Sequence, residues 1–191
     1  MDPREYHIHE TLADGARLTV RAIRPDDKAA LVALFERLSP ESIYYRFHGA
    51  KKRLSRKELA YLTELDFHRQ AALVAVLGGT GGERIVGVAR YAVGPESPLD
   101  RAEIAITVED GEQGRGIGAL LLGHLMRVAR TQEIRELEAY VLAENVPMIR
   151  LLEKCGRMVE RRSGGGVCHL VVATSSDATP SMIEGERSPR A

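Results

Sequence analysis

A glycine-rich turn that joins a strand to an amphipathic helix constrains the fold of this chain more than any other feature. The turn occupies residues 113–119, with the sequence QGRGIGA, and apolar residues then recur at spacings of three and four. Glycine has no Cβ and lets the main chain approach a ligand closely, while a helix N-terminus offers unpaired N–H groups and positive dipole charge. The sequence therefore predicts a phosphate-binding turn here, the alternative being a glycine-rich turn without a ligand.

The remaining apolar patterning predicts an α+β fold. Alternating apolar residues predict strands, and apolar spacings of three and four predict helices. In chain order, the prediction is a hairpin of 6–12 and 17–23, helices at 26–38, at 43–47 and from 55, strands at 71–77, 85–93 and 102–108, a helix after the glycine turn, a strand at 134–142, a helix at 145–154 and a strand at 167–173. Early helices are thus followed by an antiparallel meander and then by one β-α-β unit through the glycine turn.

Length and composition indicate a single globular domain. The chain has 191 residues, of which 1–173 are assigned to the domain and 174–191, which are polar and lack apolar periodicity, to a disordered tail. Lys plus Arg equals Asp plus Glu at 27 each, which argues against a dedicated nucleic-acid-binding protein. No apolar stretch approaches the roughly 20 residues that cross a bilayer, so no membrane partner is expected. Two cysteines and the absence of an export signal favour a cytoplasmic protein.

Two other phosphate-binding motifs fit the glycine turn less well. A P-loop has Lys followed by Ser or Thr after its last glycine, whereas Gly118 is followed by Ala119. The dinucleotide pattern G-x-G-x-x-G/A is met by Gly114, Gly116 and Ala119, but it follows an antiparallel meander. A dinucleotide-binding domain requires a repeated parallel sheet, and a single β-α-β unit does not supply one.

The residues of the turn resemble a known signature. Gln113, Gly116 and Gly118 fit the pattern Q/R-x-x-G-x-G/A of the GNAT N-acetyltransferase superfamily, and the order of predicted elements agrees over 17–173. The resemblance implies the GNAT acyltransferase fold, a mixed and mostly antiparallel central sheet flanked by helices. Within this superfamily, the chain resembles most closely the bacterial protein lysine acetyltransferases that modify acyl-CoA synthetases. The segments that carry this resemblance are SPES at 39–42, YRF at 45–47, AEIA at 102–105 and LAENVPM at 142–148.

The resemblance implies acetyl-CoA as co-substrate, with no metal, and a strand 102–108 that parts from its neighbour to admit the pantetheine arm. The implied coenzyme-binding residues are Ile106, Thr107, Val108, Gln113, Gly114, Arg115, Gly116, Ile117, Gly118, Ala119 and Asn145. The glycine turn is expected to hold the pyrophosphate, and the main-chain N–H of Val108 to stabilise charge on the thioester oxygen. For Asn145, a helix N-cap is an equally suitable interpretation.

Glu103 is the candidate general base. An acceptor lysine has a reference pKa near 10.4, so it needs a carboxylate in a semi-buried cleft to remove its proton, directly or through water. The family's base glutamate matches this position, and the alternative is a solvated strand charge paired with Arg101 or Arg90. Many relatives use a helix tyrosine as general acid, but Leu152 occupies the matching position, which leaves the thiolate to be protonated by solvent.

A basic segment precedes the predicted strand at 71–77. Residues 46–57 contain six Lys or Arg and no acid, and in GNAT folds this segment overlies the acceptor cleft. It is expected to steer an acidic protein surface or to contact the coenzyme's 3′-phosphate; a loop charged for solubility is the alternative. Arg150 is expected to face solvent, and contact with the coenzyme phosphates is the alternative.

Three functions remain open from the sequence. The first is acetylation of a protein lysine, for which an acyl-CoA synthetase is the example. The second is acetylation of a small amine such as a polyamine, an amino acid or a drug. The third is a non-catalytic acyl-CoA sensor or interaction module. The sequence leaves the oligomeric state undetermined.

Overall fold

The computed structural model describes residues 2–78 and 82–175. Over these ranges the chain forms five α-helices around one eight-stranded sheet. The strands are β1 (His7–Thr11), β2 (Arg17–Ala22), β3 (Gln70–Leu77), β4 (Arg84–Ala92), β5 (Arg101–Val108), β6 (Glu136–Leu142), β7 (Arg157–Gly164) and β8 (Val167–Ala173). The helices are α1 (Lys28–Glu36), α2 (Pro40–Phe47), α3 (Arg56–Thr63), α4 (Ile117–Thr131) and α5 (Val146–Cys155).

The sheet has the strand order β1-β2-β3-β4-β5-β6-β8-β7. Among these strands only β5 and β6 are parallel, because α4 carries the chain back across the sheet between them. All other neighbours are antiparallel. The predicted α+β architecture, a mixed and mostly antiparallel sheet flanked by helices, is therefore confirmed.

Strand β7 is the element that the sequence pattern misses. It pairs with β8 at the edge of the sheet, and its side chains are exposed or half-buried throughout. An edge strand tolerates charge because one side of it meets solvent. The segment 157–164 therefore has no apolar alternation that would distinguish it from a charged loop.

Helix α4 provides the main contact on one face of the sheet, against β3, β4 and β5. Its predicted inner face is confirmed, since Ile117, Leu121, Leu125 and Val128 are all buried. His124 is buried with them and lies 2.6 Å, through Nδ1, from the hydroxyl of Tyr6. Helix α1 packs on β4 from the opposite face, so the sheet is covered on both sides.

Thr174, just beyond the predicted domain boundary at residue 173, is attached to the sheet. Thr174, assigned from sequence to the tail, is buried, and its hydroxyl donates to the main-chain oxygen of Ile134 at 2.9 Å. Its N–H donates to the oxygen of Arg135 at 2.8 Å. The rest of the predicted disordered tail, residues 176–191, lies outside the described residues.

Gly156, which ends α5, is a position where a methyl group does not fit. A Cβ there would lie 2.7 Å from the Cβ of Val172 and 3.2 Å from the main-chain oxygen of Leu152. We expect Gly156→Ala to lower the free energy of unfolding by about 1–3 kcal/mol, measured by urea denaturation. The matched control is Gly123→Ala, in the middle of α4 with open space around it, which should raise stability by about 0.5–1 kcal/mol. Equal effects from the two variants would contradict the close packing at Gly156.

Candidate active site

A cleft opens where β5 and β6 part. The parallel pairing of these strands covers three residue pairs and ends at Glu103 and Glu138. Beyond that point the strands diverge and leave a cleft of about 860 Å³ between β5, β6 and the first turn of α4, with α2 and α5 on its borders. Ligand pockets in proteins commonly have volumes of roughly 300–1,000 Å³, so the cleft is large enough for an extended small molecule.

The glycine turn forms one end of the cleft. Gly116 is the N-cap of α4, has a φ of 87° and makes no side-chain cap hydrogen bond. Gly114 also has a positive φ, 76°, and no atom lies where a Cβ of either glycine would project. The N–H groups of the first turn of α4 are therefore exposed to the cleft without a capping side chain, as an anion site requires. This arrangement fits the pyrophosphate of a coenzyme.

Main-chain donors of β5 face the gap between the strands. The N–H of Glu109 donates to the oxygen of Val86 on the β4 side, at 2.8 Å. Hydrogen-bonding direction alternates along an antiparallel strand, so the N–H groups of Thr107 and Glu109 point to β4 while those of Ile106 and Val108 point to the opposite edge. That edge is the one from which β6 has departed. The gap is therefore lined by strand N–H groups that have no strand partner.

Most of the predicted coenzyme residues line the cleft. They are Ile106, Thr107, Val108, Gln113, Gly114, Gly116, Ile117, Gly118, Ala119 and Asn145. Arg115 is the exception, because its side chain turns away and pairs with Asp14 and Glu112. The hydrogen bonds that Arg115 donates, first to Asp14 and then to Glu112, raise the pKa of Arg115.

Gln113 and Asn145 already have partners within the protein. The side-chain amide of Gln113 donates to the main-chain oxygen of Val108 at 3.1 Å and so fixes the turn against β5. The side-chain oxygen of Asn145 accepts from the N–H of Met148 at 3.2 Å, which is the N-cap interaction considered from the sequence. Both residues therefore shape the cleft through local hydrogen bonds.

Glu103 lies in the cleft at the end away from the glycine turn. The sequence predicts a semi-buried carboxylate, which is wrong, because the side chain is exposed at the point where the two strands separate. This exposure agrees with the alternative of a solvated strand charge, but neither arginine considered from the sequence pairs with the carboxylate, since Arg101 pairs with Glu136 at 2.6 Å and Arg90 donates to the main-chain oxygen of Tyr61. Within the described residues Glu103 has no ion-pair partner.

Aromatic residues that the sequence did not identify as functional also line the cleft. Tyr140 of β6 is 48% exposed and stacks on His169 with ring centroids 4.6 Å apart. Desolvation, and then the carboxylates of Glu138 and Glu103, raise the pKa of Tyr140. An aromatic residue in a strand is ordinary in sequence, so no pattern reveals that Tyr140 lies near Glu103.

Helix α2 is held against the cleft by polar contacts at both ends. Asp110, just after β5, accepts hydrogen bonds from the N–H and hydroxyl of Ser39 and from the hydroxyl of Ser42. Burial alone raises the pKa of Asp110, but these hydrogen bonds outweigh it and leave the pKa below its usual range. The hydroxyl of Tyr45 donates to Glu41 at 2.8 Å and reaches the main-chain oxygen of Glu144 at 3.4 Å.

Other sequence expectations concern α5 and the basic segment. Leu152 is fully buried, so the position matching the tyrosine acid of relatives does not reach the cleft. Arg150 is exposed, as expected, and it borders the cleft. In the basic segment, Lys51 forms an ion pair with Glu58. The exposed basic residues of the segment are Lys52, Arg53, Arg56 and Lys57. Arg46 is different, because it lines the cleft from α2.

A mixed sheet whose two parallel strands diverge around a cleft is the architecture of an acyltransferase. Comparison with known proteins identifies the family. The profile described as "Acetyltransferase (GNAT) family" matches residues 31–156, so the chain belongs to that family. Acetyltransferase PA5475 of Pseudomonas aeruginosa is 34% identical over 142 residues, which are 74% of this chain and 75% of that protein. Acetyltransferase Pat of Mycolicibacterium smegmatis is 31% identical over 161 residues, 84% of this chain, and the chain spans only 46% of Pat.

A solved structure agrees with the sequence comparisons. The crystal structure of the GNAT domain of S. lividans PAT superposes with a TM-score of 0.80 at 36% identity, covering 87% of this chain and 96% of that one. Members of the GNAT family use acetyl-CoA, and this protein is an acyl-CoA-dependent N-acetyltransferase. Its acceptor is a separate question.

Two further structural findings concern partners. None of the helices in the described ranges is long and apolar enough to cross a membrane. Among the same residues, no group of three or more His, Cys, Asp or Glu side chains is arranged to hold a metal ion.

Proposed function

We propose that this enzyme transfers an acetyl group from acetyl-CoA to a lysine side chain of another protein, such as an acyl-CoA synthetase, with Glu103 as general base. The observation that carries the proposal is the cleft itself, which has the uncapped N-terminus of α4 at one end and, among the described residues, an unpaired and exposed carboxylate at the other. An exposed acceptor end suits a lysine presented on a protein surface. The similarity to acetyltransferase Pat and to S. lividans PAT supports a protein acceptor.

Residues of the turn and of β5 are proposed to hold the coenzyme. The unpaired N–H groups of Ile117, Gly118 and Ala119 in the first turn of α4 bind pyrophosphate, and the N–H groups of Ile106 and Val108 bind along the gap. Acetyl-CoA, when bound, supplies the thioester whose acetyl group is transferred. The N–H of Val108 donates to the carbonyl oxygen as negative charge develops on it, because a donor fixed in advance needs no reorganisation.

Glu103 is proposed to accept the proton of the acceptor amine. A lysine amine with a reference pKa near 10.4 is almost entirely protonated at neutral pH, so proton removal must accompany attack. The exposed position lets the carboxylate act directly or through one water molecule. With Leu152 buried, the leaving thiolate takes its proton from solvent, which a reference thiol pKa near 8.5 permits.

Both cysteines, Cys155 and Cys168, are free thiols, which supports a cytoplasmic location.

Incubation of the purified protein with radiolabelled acetyl-CoA and a bacterial lysate tests the acceptor. We expect label in protein bands, and acetyl-lysine in those proteins by mass spectrometry, above the level given by heat-inactivated enzyme. Label confined to the low-molecular-weight filtrate would contradict the protein acceptor and indicate a small amine. Coenzyme binding without any transfer would indicate a sensor and contradict the proposed activity.

A further inference from the structure

Among the described residues, Arg46 forms no ion pair, although it lies at the acceptor end of the cleft. It belongs to α2, is half-buried, and lines the cleft together with Glu103, Ala105 and Thr107. It also borders a smaller apolar cavity between the sheet and α1, which Arg90 lines as well. The guanidinium group therefore lies between the acceptor end and the protein interior.

The guanidinium group of Arg46 has few polar contacts within the protein. Among the described residues, the side chain of Arg46 forms no hydrogen bond or ion pair, and its Cζ lies 5.1 Å from the centroid of the Phe47 ring. Its neighbour Arg90 is instead satisfied, since it donates to the oxygen of Tyr61 and to the side chain of Gln70 and stacks on the Tyr61 ring.

The electrostatic environment of Arg46 is unfavourable in the unliganded protein. Burial, and then the charge of Arg90, lower the pKa of Arg46, whereas Glu103 and Tyr61 act in the opposite direction. The side chain is half-buried, so its charge is partly hydrated through the cleft, and no protein group among the described residues replaces the hydration that it has lost. Arg46 lines the cleft and has a second arginine near it in the adjoining cavity, so an anion bound to Arg46 in the cleft would offset the repulsion between the two charges.

We infer that Arg46 binds a carboxylate group of a substrate at the acceptor end of the cleft. The inference rests on the proposed function, in which the amine is received beside Glu103. A guanidinium group offers two parallel N–H donors that match the two oxygens of a carboxylate. The carboxylate comes either from an acidic residue next to the acceptor lysine or from the far end of a dicarboxylic acyl group, such as succinyl.

The phosphates of the coenzyme do not fit this position. Glu103, next to Arg46, precedes Val108 by five residues along β5, a span of about 17 Å in an extended strand. The glycine turn lies beyond Val108, at the opposite end of the cleft. An anion at Arg46 is therefore separate from the pyrophosphate.

Binding measurements test the inference without depending on turnover. The probes are hexapeptides with a central lysine and either Asp or Asn at one flanking position, titrated by calorimetry into the CoA-bound protein, and acetyl-CoA against succinyl-CoA titrated into the free protein. In the acceptor arm we expect the best Asp peptide to bind at least about tenfold more tightly than its Asn counterpart. In the donor arm the corresponding result is tighter binding of succinyl-CoA than of acetyl-CoA. The inference requires that either the Asp peptide or succinyl-CoA binds more tightly than its uncharged counterpart.

Variants then assign the preference to one side chain. Arg46→Met should abolish it, Arg46→Lys should retain part of it because the charge but not the paired donors remains, and Arg157→Met should leave it unchanged. Arg157 is an exposed residue of β7 outside the cleft. Its replacement by methionine changes the net charge by the same amount as Arg46→Met without altering the cleft. Thermal melting separates loss of binding from loss of folding, and Arg46→Lys serves if the methionine variant does not fold.

Several results would overturn the inference. They are the absence of any carboxylate preference in both arms, a preference that survives in Arg46→Met, and an equal loss in Arg157→Met. If the wild-type protein shows the preference but transfers no acetyl group in the lysate experiment, the proposed activity fails and the carboxylate site stands.

Discussion

Replacing Glu103 by glutamine lowers the turnover number at least about 100-fold, while the dissociation constant of acetyl-CoA is unchanged. Glutamine keeps the size and polarity of the side chain and removes only its ability to accept a proton. The amine must then lose its proton to solvent before it attacks. Steady-state kinetics at saturating acetyl-CoA, with calorimetry for binding, measure the two quantities separately.

The pH dependence of the Glu103→Gln variant distinguishes a lost base from a distorted cleft. Without the carboxylate, the rate should rise about tenfold per pH unit towards the acceptor pKa near 10.4, so the deficit relative to wild type shrinks at high pH. The control is Glu144→Gln, an acid that also lines the cleft. It lies in the turn after β6, whose last residue is four residues from the strand partner of Glu103, roughly 13 Å along the strand, and Glu144→Gln should retain activity. An active Glu103→Gln enzyme at neutral pH would remove this assignment.

Replacing Gly116 by aspartate raises the dissociation constant of acetyl-CoA at least about tenfold. A carboxylate about 4 Å from a phosphate charge costs about 1–4 kcal/mol, depending on how far solvent screens the pair. The φ of 87° at Gly116 adds backbone strain for any residue with a Cβ. Calorimetric titration with acetyl-CoA, and with CoA alone, measures the loss.

Two companion variants divide the loss at Gly116 into its causes. Gly116→Ala introduces the strain without the charge and should weaken binding less. Gly111→Asp adds the same charge in the preceding turn, where space is open and the residue does not line the cleft, so coenzyme affinity should remain. Unchanged affinity in Gly116→Asp, or an equal loss in Gly111→Asp, would contradict a phosphate site at the start of α4.

The sequence predicts those parts of the fold and site that local patterns encode. The apolar face of α4, the start of a helix near residue 55 and the glycine turn before α4 each depend on residues within one or two turns of chain. Glu103 could be placed in the cleft because it lies on the strand that leads to the glycine turn. Its exposure could not be predicted, since this depends on where β6 leaves β5, which no local pattern records.

The features that the sequence does not predict are set by tertiary packing. Tyr140 and Arg46 reach the cleft because β6 and α2 border it, and neither residue stands in a distinctive motif. Arg115 belongs to the signature turn, yet its side chain faces away because Asp14, about a hundred residues earlier in the chain, pairs with it. Long-range ion pairs of this kind leave no periodic trace in a sequence.

The three-pair junction between β5 and β6 has a consequence for how this enzyme can diverge. Main-chain N–H groups line the gap where the strands diverge, so in the proposed function the coenzyme is recognised mainly by the backbone, and substitutions at positions 106 and 108 would change that recognition little. The proposed acceptor half, with Arg46, Glu103 and Tyr140, consists of side chains. New acceptor preferences could therefore arise there without disturbing coenzyme binding.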